Sequence, residues 1–338
     1  MNAARRVVWI SFAPLQKVAG RATSSVASVR YRITVPAQAL EGEGFESRVT
    51  QIGAGASRRT LLERFAGAQA VVLGKLLAPP AEYERVAGDT LALVGELRAR
   101  GVRVLADYSD DLFDDPLQGT AQRALAGAVD RVTVSTPQLA DAVRAWTAAP
   151  LSVIADPVEG ARGEPRVGRR PPYALLWFGH PTNLDTLRYG LPQLERAKID
   201  YSLTLVTAAG AGAERVPASR FRTWSTAALF EELARCDAVV IPSNPHDPRK
   251  AVKSANRFTE SLWAGRFVMA HPLPAYAALG DFGWVGEHLG EGLAWYAGHG
   301  DEARRRIEDG QAAIGERFTP QAVAHDWSAA IRAAMEEA

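Results

Sequence analysis

Short apolar runs recur along the chain, each closed by a polar or glycine-containing turn and followed by a stretch with helical spacing. In the first half, Val7–Phe12, Arg48–Ile52, Ala70–Gly74, Val102–Asp107, Arg131–Ser135 and Leu151–Ala155 read as strands. Helices are expected over about Val26–Leu40, Thr60–Phe65, Ala81–Arg100, Ala121–Ala128 and Gln138–Trp146, with Gly101 stopping the third and Pro36 kinking or dividing the first. Between residues 159 and 172 the periodicity disappears: three glycines and three prolines interrupt a basic stretch, which reads as a linker. The alternation then restarts. Strands are expected at Ala174–Gly179, Ser202–Thr207, Phe221–Trp224, Asp237–Ser243 and Phe267–Ala270, with a short strand or turn at Gly283–Gly286. Helices are expected over Thr186–Ala197, Thr226–Arg235 and Tyr276–Ala278, and Ala208–Pro217 reads as a loop rich in glycine and alanine. Two more helices, divided near Pro320, fill Asp301–Ala338, the last with a packed stripe through Asp326, Trp327, Ile331 and Met335.

Strands alternating with helices imply mostly parallel sheets covered on both faces. The expected fold is α/β, with two Rossmann-like α/β/α domains facing each other across a cleft. The expected boundaries are 1–158 for the first domain, 159–172 for the linker, 173–318 for the second domain, and 319–338 for a closing helix that packs back on the first. A length of 338 residues suits two ordinary domains.

Composition narrows the function only by exclusion. The chain carries 39 basic and 38 acidic residues, a net charge of +1, so nothing global draws it to nucleic acid. Cys236 is the only cysteine and reads as a small core residue, which excludes a disulfide framework and a cysteine-rich metal site. No apolar run approaches the length of a membrane span. Met1–Arg6 has the charge of a signal n-region, but Val7–Phe12 is too short for the apolar region that follows one. The expected location is cytoplasmic, with peripheral contact at the inner face of the membrane left open.

Candidate chemistry gathers after strands. The most informative stretch is Lys250–Arg266, which reads as a helix capped by Ser254 and stopped by Gly265. Lys253, Asn256, Arg257 and Glu260 then share one side, opposite Ala255, Phe258 and Leu262. Lys253 and Arg257 at i, i+4 repel mildly unless an anion lies between them. Free backbone N–H groups and the Arg257 fork suit a phosphate, and Glu260 could accept two hydroxyls. Gly179-His180-Pro181-Thr182-Asn183 offers close backbone approach at Gly179 and a helix cap at Asn183, with His180 either a phosphate donor or an ordinary loop residue. Asp107-Tyr108-Ser109-Asp110-Asp111 has three acids in five positions, which could cap a helix, contact an acceptor or hold a cation. Asp107 lies nearest the strand end, and Asp110 and Asp111 suit capping. Arg30 and Arg32 read either as a solvated face or as an anion contact. Gly53–Ser57 reads as a plain turn, because the third glycine of a dinucleotide fingerprint is missing.

Four stretches in order, Tyr31–Ala37, Asp107–Phe113, Trp177–Gly179 and Ser254–Glu260 with Ala264-Gly265, resemble the GT-B glycosyltransferases, in particular a broad nucleotide-sugar-dependent group related to retaining bacterial enzymes. The resemblance implies transfer of a sugar, most simply a hexose, from a nucleoside diphosphate sugar to an acceptor hydroxyl in bacterial glycan or glycoconjugate biosynthesis. It places Glu260 on the ribose and Lys253, Asn256 and Arg257 near the diphosphate, with Lys253 and Arg257 acting in catalysis by stabilising the charge that develops there; Ser254, at the helix start, is a further binding candidate. Gly179 and Asn183 would lie close by, with Trp224 at the base. The acceptor, a glycan, a lipid-linked sugar or a small molecule, would lie near Asp107 and Arg32. Asp107 would be the base of an inverting reaction, whereas in a retaining one the leaving diphosphate takes the acceptor proton. No cofactor or metal is implied beyond the donor. Two departures stand out: the family's paired glutamate is replaced by Val252, and no histidine precedes His180. A nucleotide-sugar epimerase or a non-catalytic nucleotide-sugar-binding subunit would fit the same pattern.

Overall fold

The computed structural model describes residues 5–53, 62–210, 216 and 219–336. The chain divides into two compact units, 1–157 with 252–254 and 319–338, and 158–251 with 255–318. In the first unit the strands β1 (Arg5–Ser11), β4 (Phe45–Gln51), β5 (Ala70–Leu73), β6 (Arg103–Tyr108), β7 (Arg131–Val134) and β8 (Leu151–Val153) form one parallel sheet in the order β4-β1-β5-β6-β7-β8. A small antiparallel hairpin, β2 (Gln16–Val18) with β3 (Arg21–Thr23), stands apart from it. The period-2 alternation of β1 sends Val8 and Ile10 into one core and Val7 and Trp9 into another, so both faces are covered.

The second unit repeats the plan. Strands β9 (Tyr173–Phe178), β10 (Tyr201–Thr207), β11 (Ser219–Thr223), β12 (Ala238–Ile241), β13 (Phe267–Ala270) and β14 (Trp284–Val285) pair in parallel in the order β11-β10-β9-β12-β13-β14. The strand order reverses between β9 and β12, and the carboxyl ends of strands at such a reversal open the crevice where α/β sheets bind ligands.

The sequence places most elements, with instructive exceptions. The first helix is three pieces: Ala27–Val29, a π turn at Arg30–Thr34, and Val35–Ala39. Val35 N–H bonds the Arg30 carbonyl across the wide turn, immediately before Pro36, which has no N–H to give. In the last helix, Pro320–Glu336, the buried stripe is Val323, Trp327, Ile331 and Ala334, and Asp326 is exposed rather than part of it. Trp327 meets Trp9 edge-on with ring centres 4.8 Å apart, which fastens this helix to the first unit. The Gly53–Ser57 turn lies outside the described residues after Gly53, as do the start of the Thr60–Phe65 helix and most of the Ala208–Pro217 loop. Among the described residues no helix is long and apolar enough to cross a membrane.

The glycine- and proline-rich stretch at 159–172 is not a free tether. It belongs to the second unit and runs against the end of the helix Asn256–Trp263. Gly163 N–H donates to the Trp263 carbonyl at 2.8 Å, and Arg166 N–H to the Gly265 carbonyl at 2.9 Å. Gly265 ends that helix in the left-handed region, φ +78°, and a Cβ there would lie 2.2 Å from the Glu164 carbonyl oxygen. Gly265→Ala is therefore expected to cost about 2 kcal/mol or more, through both backbone strain and overlap. A lowered urea midpoint of the second unit would register it.

Candidate functional site

The stretch from Lys250 to Arg266 is not one helix. A short helix, Pro248–Ala251, is followed by four non-helical residues and then by Asn256–Trp263. The break follows from what residues 252–254 touch, all within the first unit. Val252 is buried in that unit's core, and its carbonyl accepts a hydrogen bond from Thr136 Oγ1 at 2.8 Å. Lys253 forms an ion pair with Asp110, and Ser254 Oγ donates to Asp156 at 2.5 Å. Ser254 is thus not the N-cap. Ala255 holds that position without a side-chain bond, while the Asn256 side chain accepts from Arg257 N–H at 2.8 Å. Lys253 is likewise not the helical neighbour of Arg257, and its charge is met by a carboxylate.

Arg257 has a different environment. Its side chain lies beside Gly179, which follows β9 at the topological reversal. A Cβ on Gly179 would sit 3.5 Å from Arg257 Nη1. Nη2 makes one long contact, 3.4 Å, to the Tyr276 hydroxyl, whereas Nη1 is buried and has no hydrogen-bond partner among the described residues. Lys250 approaches the same charge. Its ammonium donates to Asn183 Oδ1 at 2.6 Å, and its pKa is lowered first by burial and then by Arg257. Among the described residues no carboxylate lies within ion-pair distance of Lys250 or Arg257. A lysine and an arginine held close together with an orphaned buried N–H leave donors that an anion would satisfy.

The neighbouring sequence candidates fall differently. Asn183 precedes the helix Leu184–Glu195 but makes no capping bond, because its side chain holds Lys250. His180 is exposed and bonds locally to Thr182, with Nδ1 3.0 Å from the hydroxyl. Glu260 is only 3% exposed. The helix thus turns it inward instead of onto the open side expected from a continuous helical wheel. Trp224 is half-buried against the second unit's core, and its backbone N–H donates to the Thr207 carbonyl at 2.8 Å.

In the first unit the acids are structural in their contacts. Asp107, 3% exposed, receives Arg32 Nη2 at 2.7 Å and Nε at 3.0 Å, and the Thr133 hydroxyl at 2.7 Å. Arg32 is also buried. It extends Nη1 to the Ile154 carbonyl at 2.5 Å and to Asp156 at 3.1 Å, and lies over the Trp327 ring. Burial opposes its charge, but Asp107 and then Asp156 more than offset this, so its pKa stands above the usual arginine value. Arg30 is buried too and donates to the Ser24 and Ser25 carbonyls. Neither arginine is a solvated face or an open anion contact. Asp110 does not cap a helix but pairs with Lys75 and Lys253, and Asp111 accepts from Phe113 N–H in a tight turn. Burial lowers the pKa of Lys75.

Sequence reasoning did not single out Lys250, Tyr276, Asp156 or Lys75. Only Lys250 left a signal, as one of two lysines within a stretch already marked by Arg257.

No family model matches the chain, and no curated protein matches it in sequence. Solved structures do match in shape. The protein Alr3699/HepE of Anabaena, in complex with UDP-glucose, aligns over 98% of this chain and 100% of its own with a TM-score of 0.69 at 10% identity. Glycyrrhiza uralensis UGT73P12, complexed with glycyrrhetinic acid 3-O-monoglucuronide, aligns over 99% and 96% with a TM-score of 0.52 at 10% identity. A Listeria monocytogenes protein assigned as a UDP-N-acetylglucosamine 2-epimerase aligns over 99% and 98%, also at 0.52, with 13% identity. Two six-stranded parallel sheets, each flanked by helices and matched over nearly the full chain, give this protein the GT-B fold of the glycosyltransferases.

Proposed function

We propose that this chain is a glycosyltransferase. It would bind a nucleoside diphosphate sugar in its second unit and move the sugar, a hexose, to an acceptor hydroxyl in the synthesis of a bacterial glycan or glycoconjugate. The observation that carries the reading is the buried, partnerless Nη1 of Arg257 at the strand-order reversal, with Lys250 held beside it. A diphosphate would satisfy both. The fold adds support, since a structural neighbour holds UDP-glucose.

The chemistry follows from that placement. The bond between the anomeric carbon and the β-phosphate oxygen breaks, and the acceptor oxygen takes its place on carbon. Negative charge grows on the departing diphosphate, where Arg257 and Lys250 stabilise it more in the transition state than in the ground state. The acceptor proton goes to the released phosphate oxygen. No side-chain base is needed, which suits the engagement of Asp107 with Arg32. Asn183 orients Lys250, and Gly179 leaves room for the phosphates. Glu260 and Trp224 are the proposed ribose and base contacts, each from a position with limited exposure, and Asn256 borders the same site.

Calorimetric titration with UDP-, GDP-, dTDP- and ADP-sugars tests the donor site. One is expected to bind, and Gly179→Ala is expected to weaken it about tenfold with unchanged melting, because the added methyl meets only ordinary contacts in the free protein. Failure of all four to bind a folded chain overturns the reading. Conversion of a bound donor into its epimer without an acceptor would replace transfer by epimerisation.

A further inference from the structure

A separate feature of the second unit is a cavity of about 470 Å³ near the carboxyl ends of β12, β13 and β14. Its wall begins with the helix Leu184–Glu195. Leu184, Leu187, Leu191 and Leu194 make that helix's core stripe, while Asp185, Thr186, Tyr189 and Gln193 line the cavity at the same helical spacing. The floor is rigid. His271 is buried and bonded through both ring nitrogens, Nδ1 to the Ser243 backbone and Nε2 to Gln193 Oε1 at 3.0 Å. Gln193 Oε1 also accepts from Leu289 N–H at 3.0 Å, and burial lowers the His271 pKa, which keeps the floor uncharged near neutrality. Tyr189 stands over this floor, 67% exposed, with its ring edge-on to His271 at 6.2 Å. Its ring therefore offers an open aromatic face beside the cavity.

The charge of the lining selects the ligand. Asp185, which also meets Arg188 at 3.4 Å, and Glu287 are on the rim with His246 and His288, and among the described residues no lysine or arginine lines the cavity. That is the reverse of the Lys250 and Arg257 environment, and it disfavours phosphate. Carboxylate oxygens and the Asn244 amide accept hydroxyl protons, and the tyrosine face takes an apolar C–H face. We infer that this cavity is a second binding site, distinct from the anion gap at Arg257, for an uncharged sugar ring stacked on Tyr189 with hydroxyls directed to Asp185, Glu287 and Asn244. The inference stands on its own lining and does not require the donor reading.

Saturation-transfer NMR on the full chain tests it, with methyl α-glucopyranoside, methyl α-galactopyranoside and methyl N-acetyl-β-glucosaminide as probes. None carries a phosphate, so failure here is separable from failure of the donor site. At least one probe is expected to show ring-proton transfer. Tyr189→Ala should weaken its binding by roughly tenfold, while Arg257→Ala leaves it unchanged. Tyr189→Ala should also leave UDP-glucose binding unchanged. Absence of transfer from all three probes, transfer insensitive to Tyr189→Ala, or equal loss of UDP-glucose binding in that variant each overturns the second site. Displacement of a bound glycoside by spermidine at equal concentration would overturn the uncharged class.

Discussion

Replacing Arg257 by alanine is expected to weaken binding of the preferred nucleotide sugar by roughly 30- to 160-fold, the equivalent of about 2–3 kcal/mol for lost charge-assisted hydrogen bonds. The same change should leave the melting temperature unchanged or slightly raised. Both expectations come from one geometry. In the free protein the guanidinium makes a single long contact to Tyr276, and Nη1 is buried with nothing to receive it. Removing a group that is already unsatisfied relieves a cost instead of breaking a bond. With the donor bound, the same nitrogen would gain an acceptor in a partly desolvated site. The loss in kcat/KM should be at least as large as the loss in affinity, because charge on the diphosphate increases as the sugar departs. Arg257→Lys should recover part of the affinity, since it keeps the charge and loses the planar fork. Calorimetry beside thermal melting decides the matter. A destabilised Arg257→Ala that binds the donor normally would make Arg257 a structural strut and remove the anion site from this unit.

How much of this was visible in the sequence depended on how far the deciding partner lay along the chain. The sheets were legible because most of their strands carry their own apolar runs, and the helix end at Gly265 because that glycine acts locally. The linker at 159–172 looked unattached because its partners, Trp263 and Gly265, lie about a hundred residues on. The helix break at 252–255 was invisible for the same reason. Nothing in Lys253-Ser254-Ala255 opposes a helix, and the break is imposed by Asp110, Thr136 and Asp156. Once the wheel was cut there, Lys253 left the face of Arg257 and Lys250 entered the site. Arg32 shows the limit most clearly. An arginine in an amphipathic segment reads as solvated, and its burial depends on carboxylates 75 and 124 residues away. Cys236 needed no distant partner: it is buried as its apolar surroundings imply, with burial pushing its thiol up to about 12.

The second large effect concerns those same carboxylates. Asp107→Ala is expected to destabilise the first unit by about 3–5 kcal/mol, because it strands the Arg32 guanidinium in the interior. For a unit of this size that lowers the melting temperature by roughly 10 °C. Asp107→Asn should fall between, since an amide oxygen can still accept from Thr133 and from one Arg32 N–H but brings no charge. Arg32→Met combined with Asp107→Leu should recover much of the loss, because a matched apolar pair removes both buried charges together. The effect should spread to the last helix, whose Trp327 packs under Arg32, and appear as faster proteolysis near residue 319. The series separates a structural Asp107 from a catalytic one. A base would give Asp107→Asn normal melting and abolished turnover, and Arg32→Met with Asp107→Leu would not restore activity. An anchor gives lowered melting, with turnover retained below the transition. Asp107 accepts three hydrogen bonds within 3.0 Å and is almost wholly excluded from solvent, so an acceptor hydroxyl has little access to it, and the anchor is the outcome the geometry favours.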